Sequence, residues 1–149
     1  MAFLPALATP DDRFAREWLE RNEFALFMRM DPRDRLHGIQ VARRLLELQP
    51  QAKGTVVRAA LLHDVGKASQ PYNPLYRVIV HLFSPPVPSE PRLSGLRGAF
   101  QVKQHHALYG GRMIDEAGGS AEVARIVANH HEPGACAAAA LIARVDAET

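Results

Sequence analysis

The chain has 149 residues, of which 47% are apolar, and this length is enough for one domain with a buried core. The formal net charge is only +2, and acidic and basic residues are interleaved, as in Asp31-Pro32-Arg33-Asp34-Arg35. We interpret these charges as solvated helix faces, and we therefore predict no specific binding of nucleic acid. The longest apolar run, Ala135–Ala143, is too short to span a bilayer, so no membrane association is expected.

The single cysteine, Cys136, excludes a disulfide within the chain and favours a cytoplasmic location. It lies in an alanine-rich stretch and is predicted to be a small buried packing residue. The first residues, Met1-Ala2-Phe3-Leu4-Pro5, lack the basic segment of a signal peptide. We therefore expect a cytoplasmic protein in which residues 1–149 form one domain.

Helix start signals recur along the chain. A capping residue followed by proline stands at Thr9-Pro10, Asp31-Pro32 and Asn73-Pro74, and Ser120 is a further N-cap. With the apolar periodicity, these signals predict helices over about residues 9–21 (a continuation to 28 is left open), 31–49, 51–64, 73–83, 100–117, 120–133 and 134–147. Prolines make residues 84–89 a loop, and Gly66 and Gly118-Gly119 are expected to end helices. No stretch alternates as a strand does, so the predicted fold class is all-α, with residues 1–30 as an N-terminal helical extension.

The apolar run Ala59–Leu62 ends in His63 and Asp64, which is an unusual place for an imidazole and a carboxylate. Both groups are costly to bury without a partner, and a bound cation would offset that cost. Each continues an apolar stripe of its helix, so both are predicted to point inward, about 100° apart. His37 and Asp146 lie on the apolar faces of two other predicted helices. Helices that converge with these side chains would form a ligand cage at the centre of a bundle.

Two histidine doublets, His105-His106 and His130-His131, offer further ligands. Adjacent helical residues diverge by about 100°, so only one member of each doublet needs to face inward. At the second doublet the helix is expected to end, which would allow both members to reach the site. Nitrogen and oxygen donors without a thiolate suit iron, manganese, zinc, nickel or magnesium. Asp64 has two carboxylate oxygens, so we predict one or two divalent metal ions.

The order of His37, His63-Asp64 and Asp146 resembles the HD superfamily of metal-dependent phosphohydrolases. Three segments are similar to the HD-[IV]-G-K, H-x-x-x-G and HHE motifs of its HD-GYP group: His63-Asp64-Val65-Gly66-Lys67, His106-Ala107-Leu108-Tyr109-Gly110 and His130-His131-Glu132. The resemblance covers about residues 36–146. It implies a compact helical bundle with a central binuclear metal site, and it favours His106 over His105.

The resemblance also implies roles for individual residues. The predicted metal ligands are His37, His63, Asp64, His106, His130, His131 and Asp146. Asp64 and Lys67 are the predicted catalytic residues, because Asp64 would bridge the metals and the matching lysine of the group contacts substrate phosphate. A metal-activated hydroxide would then attack a phosphoester. Arg77, Lys103 and Arg112 are candidate phosphate contacts, and Glu132 or a histidine that does not bind metal is a candidate acid.

The residues Pro133-Gly134-Ala135 stand where the HD-GYP group has its Gly-Tyr-Pro signature, so a cyclic di-GMP phosphodiesterase is not expected. A small bacterial diadenosine tetraphosphate hydrolase branch has a similar length and motif order but a different second-metal motif. We expect a small phosphorylated substrate, and a nucleotide is the best candidate. Whether the substrate is a phosphomonoester or a phosphodiester is left open. The alternatives are a mixed-valent di-iron oxygenase of the HD superfamily and a metal-stabilised binding or regulatory module. His81 matches no motif and is predicted to be structural.

Overall fold

The computed structural model describes residues 9–132 and 134–149, which form eight α-helices and one short 3-10 helix, with no strand among them. The all-α prediction is therefore confirmed. In chain order the elements are α1 (Asp12–Trp18), α2 (Arg21–Phe27), α3 (Pro32–Leu48), α4 (Gly54–Leu62), the 3-10 helix (Val65–Ser69), α5 (Pro74–Leu82), α6 (Gly95–Glu116), α7 (Ala121–Ala128) and α8 (Ala137–Glu148).

The helix α4 lies at the centre of the bundle. Its residues Ala59–Leu62 are fully buried, and α3, α7 and the two N-terminal helices pack around it. The long helix α6 packs against α7 and the 3-10 helix, and α3 also contacts α8. On the outside of α6, α5 packs through a small separate cluster of Val80, Ala99 and Phe100. The end of α4, where His63 and Asp64 stand, is therefore enclosed by the other helices.

Polar caps set several of the helix starts. The side chains of Asp31, Asn73 and Ser120 each accept a hydrogen bond from a backbone N–H in the first turn, at 2.9, 2.8 and 3.3 Å. These three predicted start signals are confirmed, since each satisfies an amide that the helix itself leaves free. Cys136 differs from its prediction, because it is half-buried and its Sγ caps α8 at 3.4 Å.

The predicted helix from Thr9 to about Arg21 is wrong at both ends. The helix α1 begins at Asp12 and ends at Trp18, and a separate helix, α2, begins at Arg21. The part of the predicted extension in residues 1–8 lies outside the described residues.

A buried carboxylate explains the new start at α2. Glu23 has no exposed surface, and it accepts a hydrogen bond from the backbone N–H of Glu20, the α2 N-cap, at 3.0 Å. The guanidinium of Arg58 donates two further bonds to it, at 2.8 and 2.6 Å. Glu20 and Glu23 thus form a capping box at the start of α2, and the contact with Arg58 ties this cap to α4.

Other helix boundaries also differ from the predictions. The helix α4 begins at Gly54 rather than residue 51 and ends at Leu62, so Asp64 lies just outside it. The helix α6 begins at Gly95, before the expected residue 100. The helix α7 ends at Ala128, and α8 begins at Ala137, after the expected residue 134. Residue 133, the predicted end of α7, lies outside the described residues.

Gly66 has a different role from the predicted helix end. It lies in the 3-10 helix without a positive φ, which among the described glycines belongs only to Gly95 and Gly118. A Cβ on Gly66 would stand 1.8 Å from the carbonyl oxygen of His106, so only glycine permits this approach of α6. Gly118, with a φ of 76°, follows α6 as expected.

Candidate metal centre

The chain leaves α4 through an imidazole and a carboxylate in the centre of the bundle. His63 has no exposed surface, and Asp64 is 5% exposed. The Nδ1–H of His63 donates to the carbonyl oxygen of Ala60 at 2.7 Å, so its Nε2 is the ring nitrogen left to face the centre. This Nε2 is buried and has no hydrogen-bond partner among the described residues. A buried ring nitrogen without a partner is costly, and binding a cation in place of any proton on it would offset that cost.

His130 and His106 are oriented in the same way. The Nδ1–H of His130 donates to the carbonyl oxygen of Val127 at 2.7 Å. The Nδ1–H of His106 donates to the backbone carbonyl oxygen of Lys103 at 3.1 Å. His130 is fully buried, and within the described part of the chain its Nε2 also has no partner. A backbone acceptor on Nδ1 is the usual arrangement that presents Nε2 to a metal.

His37 of α3, His63 and Asp146 of α8 form a first group of donors. Their ligand atoms all lie within 4.8 Å of one another. The His37 Nε2 is 2.5 Å from Asp146 Oδ1, and the His63 Nε2 is 3.4 Å from the same oxygen. Three elements that are distant in sequence therefore bring their donors to one point.

His106, His130 and His131 form a second group, whose donor atoms also lie within 4.8 Å of one another. The His131 Nε2 is 3.1 Å from the His106 Nε2. His130 links the two groups, since its ring centroid is 5.3 Å from those of both His63 and His106. Both members of the second doublet thus reach the site, which the end of α7 at Ala128 makes possible.

Asp64 lies between the two groups. Its Oδ2 is 3.4 Å from His63 Nε2, and its Oδ1 is 3.1 Å from His106 Nε2. One carboxylate therefore faces the first group with one oxygen and the second group with the other. This is the geometry of a carboxylate that can bridge two cations.

The carboxylates of the site are ionised in spite of their burial. Burial would raise the pKa of Asp64, but the charges of His63 and Lys67 outweigh it and hold that pKa well below its usual range. Burial also opposes ionisation of Asp146, whose pKa is nevertheless lowered by hydrogen bonding to His37 and by His63. The centre therefore offers two negative charges to a cation.

The buried histidines His63 and His130 respond in opposite directions. Burial lowers the pKa of His63, but the charges of Asp64 and Asp146 outweigh burial and raise it to about 9. For His130, burial and the nearby positive charges of His63 and His131 lower the pKa to about 3. In the metal-free protein, His63 thus holds a proton that a metal must displace, and His130 is neutral and ready to bind.

A cavity of about 660 Å³ opens onto these donors. Five of the predicted ligands line it: His37, Asp64, His106, His131 and Asp146. Three cationic side chains, Arg33, Lys67 and Arg77, line it as well. The Lys67 Nζ is 3.1 Å from Asp64 Oδ2, next to the donors. The cavity has the size of a small-molecule site, for which roughly 300–1,000 Å³ is usual, and its cations suit an anionic ligand.

Several candidates from the sequence do not reach the cavity. His105 and Lys103 donate instead to backbone carbonyls, at 2.7 and 2.6 Å. Arg112 pairs with an exposed carboxylate at 2.8 Å, and His81 and Glu132 are exposed. Of the three candidate phosphate contacts, the structure brings Arg77 to the site and leaves Lys103 and Arg112 outside it.

Asp34 lines the cavity, although its neighbourhood was interpreted as a solvated helix face. That interpretation is wrong for this residue, which is only 6% exposed and lies 3.5 Å from the guanidinium of Arg77. Gln40 also lines the cavity and was missed. Both residues could have been predicted from their spacing. Each lies three residues from His37, and it therefore lies on the same side of α3 as His37.

A helical bundle that gathers five histidines and two aspartates at one centre defines a class of helical metal-binding proteins. The family model of the HD domain matches residues 36–148, and the chain belongs to this family. HD domains bind divalent metals and are mostly metal-dependent phosphohydrolases. No curated protein and no solved structure matches the chain. None of the helices that the structure describes is long and apolar enough to cross a membrane.

Proposed function

We propose that this protein is a metal-dependent phosphohydrolase that cleaves a phosphoester of a nucleotide or a related small phosphorylated compound. The observation that carries the proposal is the position of Asp64, with one oxygen toward each of two histidine groups. Membership in the HD domain family supports the same reaction class.

The donor atoms divide naturally between two divalent cations. His37, His63 and Asp146 would hold one, His106, His130 and His131 the other, and Asp64 would bind both. The two buried Nε2 atoms without hydrogen-bond partners, among the residues described, fit this assignment. Bound metals would supply a hydroxide nucleophile near neutral pH and would stabilise negative charge on the phosphoryl oxygens.

The chain's own side chains would bind and orient the substrate. Lys67 stays charged, because Asp64 and Asp34 outweigh the effect of burial and raise its pKa. It is positioned beside Asp64, where it would hold an oxygen of the phosphoryl group that is transferred to water. The cations along the cavity favour a phosphoester over an uncharged substrate.

Anaerobic purification followed by elemental analysis and a panel of phosphomonoesters, phosphodiesters and nucleotides tests this function. We expect about two equivalents of divalent metal per chain, and hydrolysis that a chelator removes and added metal restores. Oxygen consumption is measured in parallel on the same preparations. Metal-dependent oxygen consumption without hydrolysis of any phosphoester would contradict the proposal.

A further inference from the structure

A second, smaller cavity of about 170 Å³ adjoins the cavity that opens onto the donors. Asp34, Lys67 and Arg77 line both cavities and form the wall between them. Lys67 is already bonded to Asp64 beside the metal centre, at 3.1 Å. Arg77 is a second cation on this wall, and the carboxylate it pairs with is Asp34 rather than a metal-ligand candidate.

The guanidinium of Arg77, whose side chain is 28% exposed, is weakly held by its carboxylate partner. Its hydrogen bond to Asp34 is 3.5 Å long, whereas the structural pair of Arg58 and Glu23 has contacts of 2.6 and 2.8 Å. Its Nε is buried and makes no hydrogen bond within the described residues. The guanidinium carbon lies 5.9 Å from the ring centroid of Tyr72. A planar group with spare donors at a cavity wall is suited to an anion with two oxygens to offer.

The position of this guanidinium relates it to the metal centre. Asp34, its partner, precedes the metal-ligand candidate His37 by three residues on α3, which is roughly 4.5 Å along the helix axis. Lys67 is close enough to Arg77 for the two positive charges to repel each other. A single phosphate on the metals would satisfy Lys67 and leave Arg77 unused, but a compound with a second phosphate would engage both.

We propose that Arg77 binds a second phosphate of the substrate, so that the substrate class is an organic diphosphate or polyphosphate rather than a compound with one phosphate. This inference rests on the proposed phosphohydrolase function. It assigns Arg77 to substrate specificity and leaves the chemistry at the metals to the residues described above.

The test compares binding of methylphosphonate and methylenediphosphonate to the metal-loaded protein by titration calorimetry. These probes carry one and two phosphonate groups, and neither has an ester or anhydride bond to hydrolyse. We expect the wild type to bind the diphosphonate at least about tenfold more tightly than methylphosphonate, because the second phosphonate adds a hydrogen bond to a charged group. Metal content is measured after each titration, so that removal of metal by the diphosphonate is detected.

The decisive variant is Arg77→Gln, with Arg112→Gln as the matched control, since Arg112 lies outside the cavity. We expect Arg77→Gln to reduce the preference for the diphosphonate over methylphosphonate about tenfold. The control should keep the full preference.

Three results would overturn the inference: no preference in the wild type, a loss below threefold in Arg77→Gln, or an equal loss in Arg112→Gln. Should Arg77→Gln fail to fold, Arg77→Lys decides, because it keeps the charge but lacks the planar donors. Its preference should fall at least threefold, and an unchanged preference would overturn the inference. If methylphosphonate shows no metal-dependent binding, the proposed function fails, and the inference fails with it.

Discussion

The buried histidines of the site show how single hydrogen bonds prepare a metal centre. His63, His106 and His130 each donate Nδ1–H to the carbonyl oxygen three residues earlier. The bond fixes the orientation of the ring, so Nε2 faces the centre before any ligand arrives. This preorganisation comes from the backbone of the turn that precedes each histidine.

The proton on His63 leads to a pH-dependent prediction. The pKa of this imidazole is raised to about 9 in the metal-free protein, so at pH 7 the ring is protonated. Metal must displace that proton, and affinity should therefore rise from pH 7 to about pH 9 and fall as the pH is lowered. Metal titrations of the metal-free protein between pH 7 and pH 9 measure this. Affinity that stays constant over the whole interval would show that the ring is not protonated, or is not a ligand.

Lys67 provides a second prediction for a single residue. Lys67→Ala should keep its metal and lose about tenfold to a hundredfold in kcat/KM, because a hydrogen bond to a charged group is worth roughly 1.5–3 kcal/mol. Steady-state kinetics on the best substrate of the panel, with metal content confirmed, measure the loss. Arg112→Ala is the control and should change kcat/KM less than twofold. A Lys67→Ala enzyme with nearly wild-type kinetics would show that the lysine does not bind the phosphoryl group.

Helix packing positions Asp64 against α6, and Gly66 makes that packing possible. In Gly66→Ala, the new Cβ would stand 1.8 Å from the His106 carbonyl oxygen and 2.7 Å from the Gly110 nitrogen, both of them backbone atoms. The helices must separate, so we expect a loss of about 1–3 kcal/mol or more in the free energy of unfolding, with weaker metal binding. Urea denaturation and metal titration measure the two effects.

Gly54→Ala is the matched control for this packing contact. A Cβ at Gly54 meets nothing within 4 Å, and the residue opens α4. This variant should be as stable as the wild type or slightly more so, since alanine favours a helix. Equal stability of both variants would mean that α6 does not approach the 3-10 helix closely.

The pair of Glu23 and Arg58 ties α2 to α4 and gives a further prediction. Arg58→Ala would leave the fully buried carboxylate of Glu23 without its guanidinium, and we expect a loss of about 3–5 kcal/mol. Arg44→Ala removes an exposed partner of Glu47 and should cost less than about 1 kcal/mol. Thermal and urea denaturation compare the two, and a similar small loss in both would show that the buried pair is not needed.

At the scale of the whole molecule, features that are set within one helical turn could be predicted from the sequence, whereas features that are set by contacts between helices could not. The caps at Asp31, Asn73 and Ser120 could be found because each acts within one helical turn. The order of the histidines and aspartates led to the prediction of one shared centre through its resemblance to the HD superfamily, and the chain belongs to the HD domain family.

Features that depend on distant partners could not be found in this way. The pairing of Asp34 with Arg77 joins residues that are 43 apart, and Glu23 is paired with Arg58 of α4. The role of Gly66 depends on how closely α6 approaches, which no spacing in the sequence reveals. Each of these features becomes visible only when the helices are packed together.

Asp64 is the residue on which the proposed function depends most, because its two carboxylate oxygens face the two groups of donors. The most direct test is therefore phosphoester hydrolysis by Asp64→Ala, measured with metal content on a protein whose fold is verified by circular dichroism. We expect hydrolysis to be lost and bound metal to fall, while His81→Ala, changed at an exposed residue, keeps both. A folded Asp64→Ala protein with full activity would contradict the proposed mechanism.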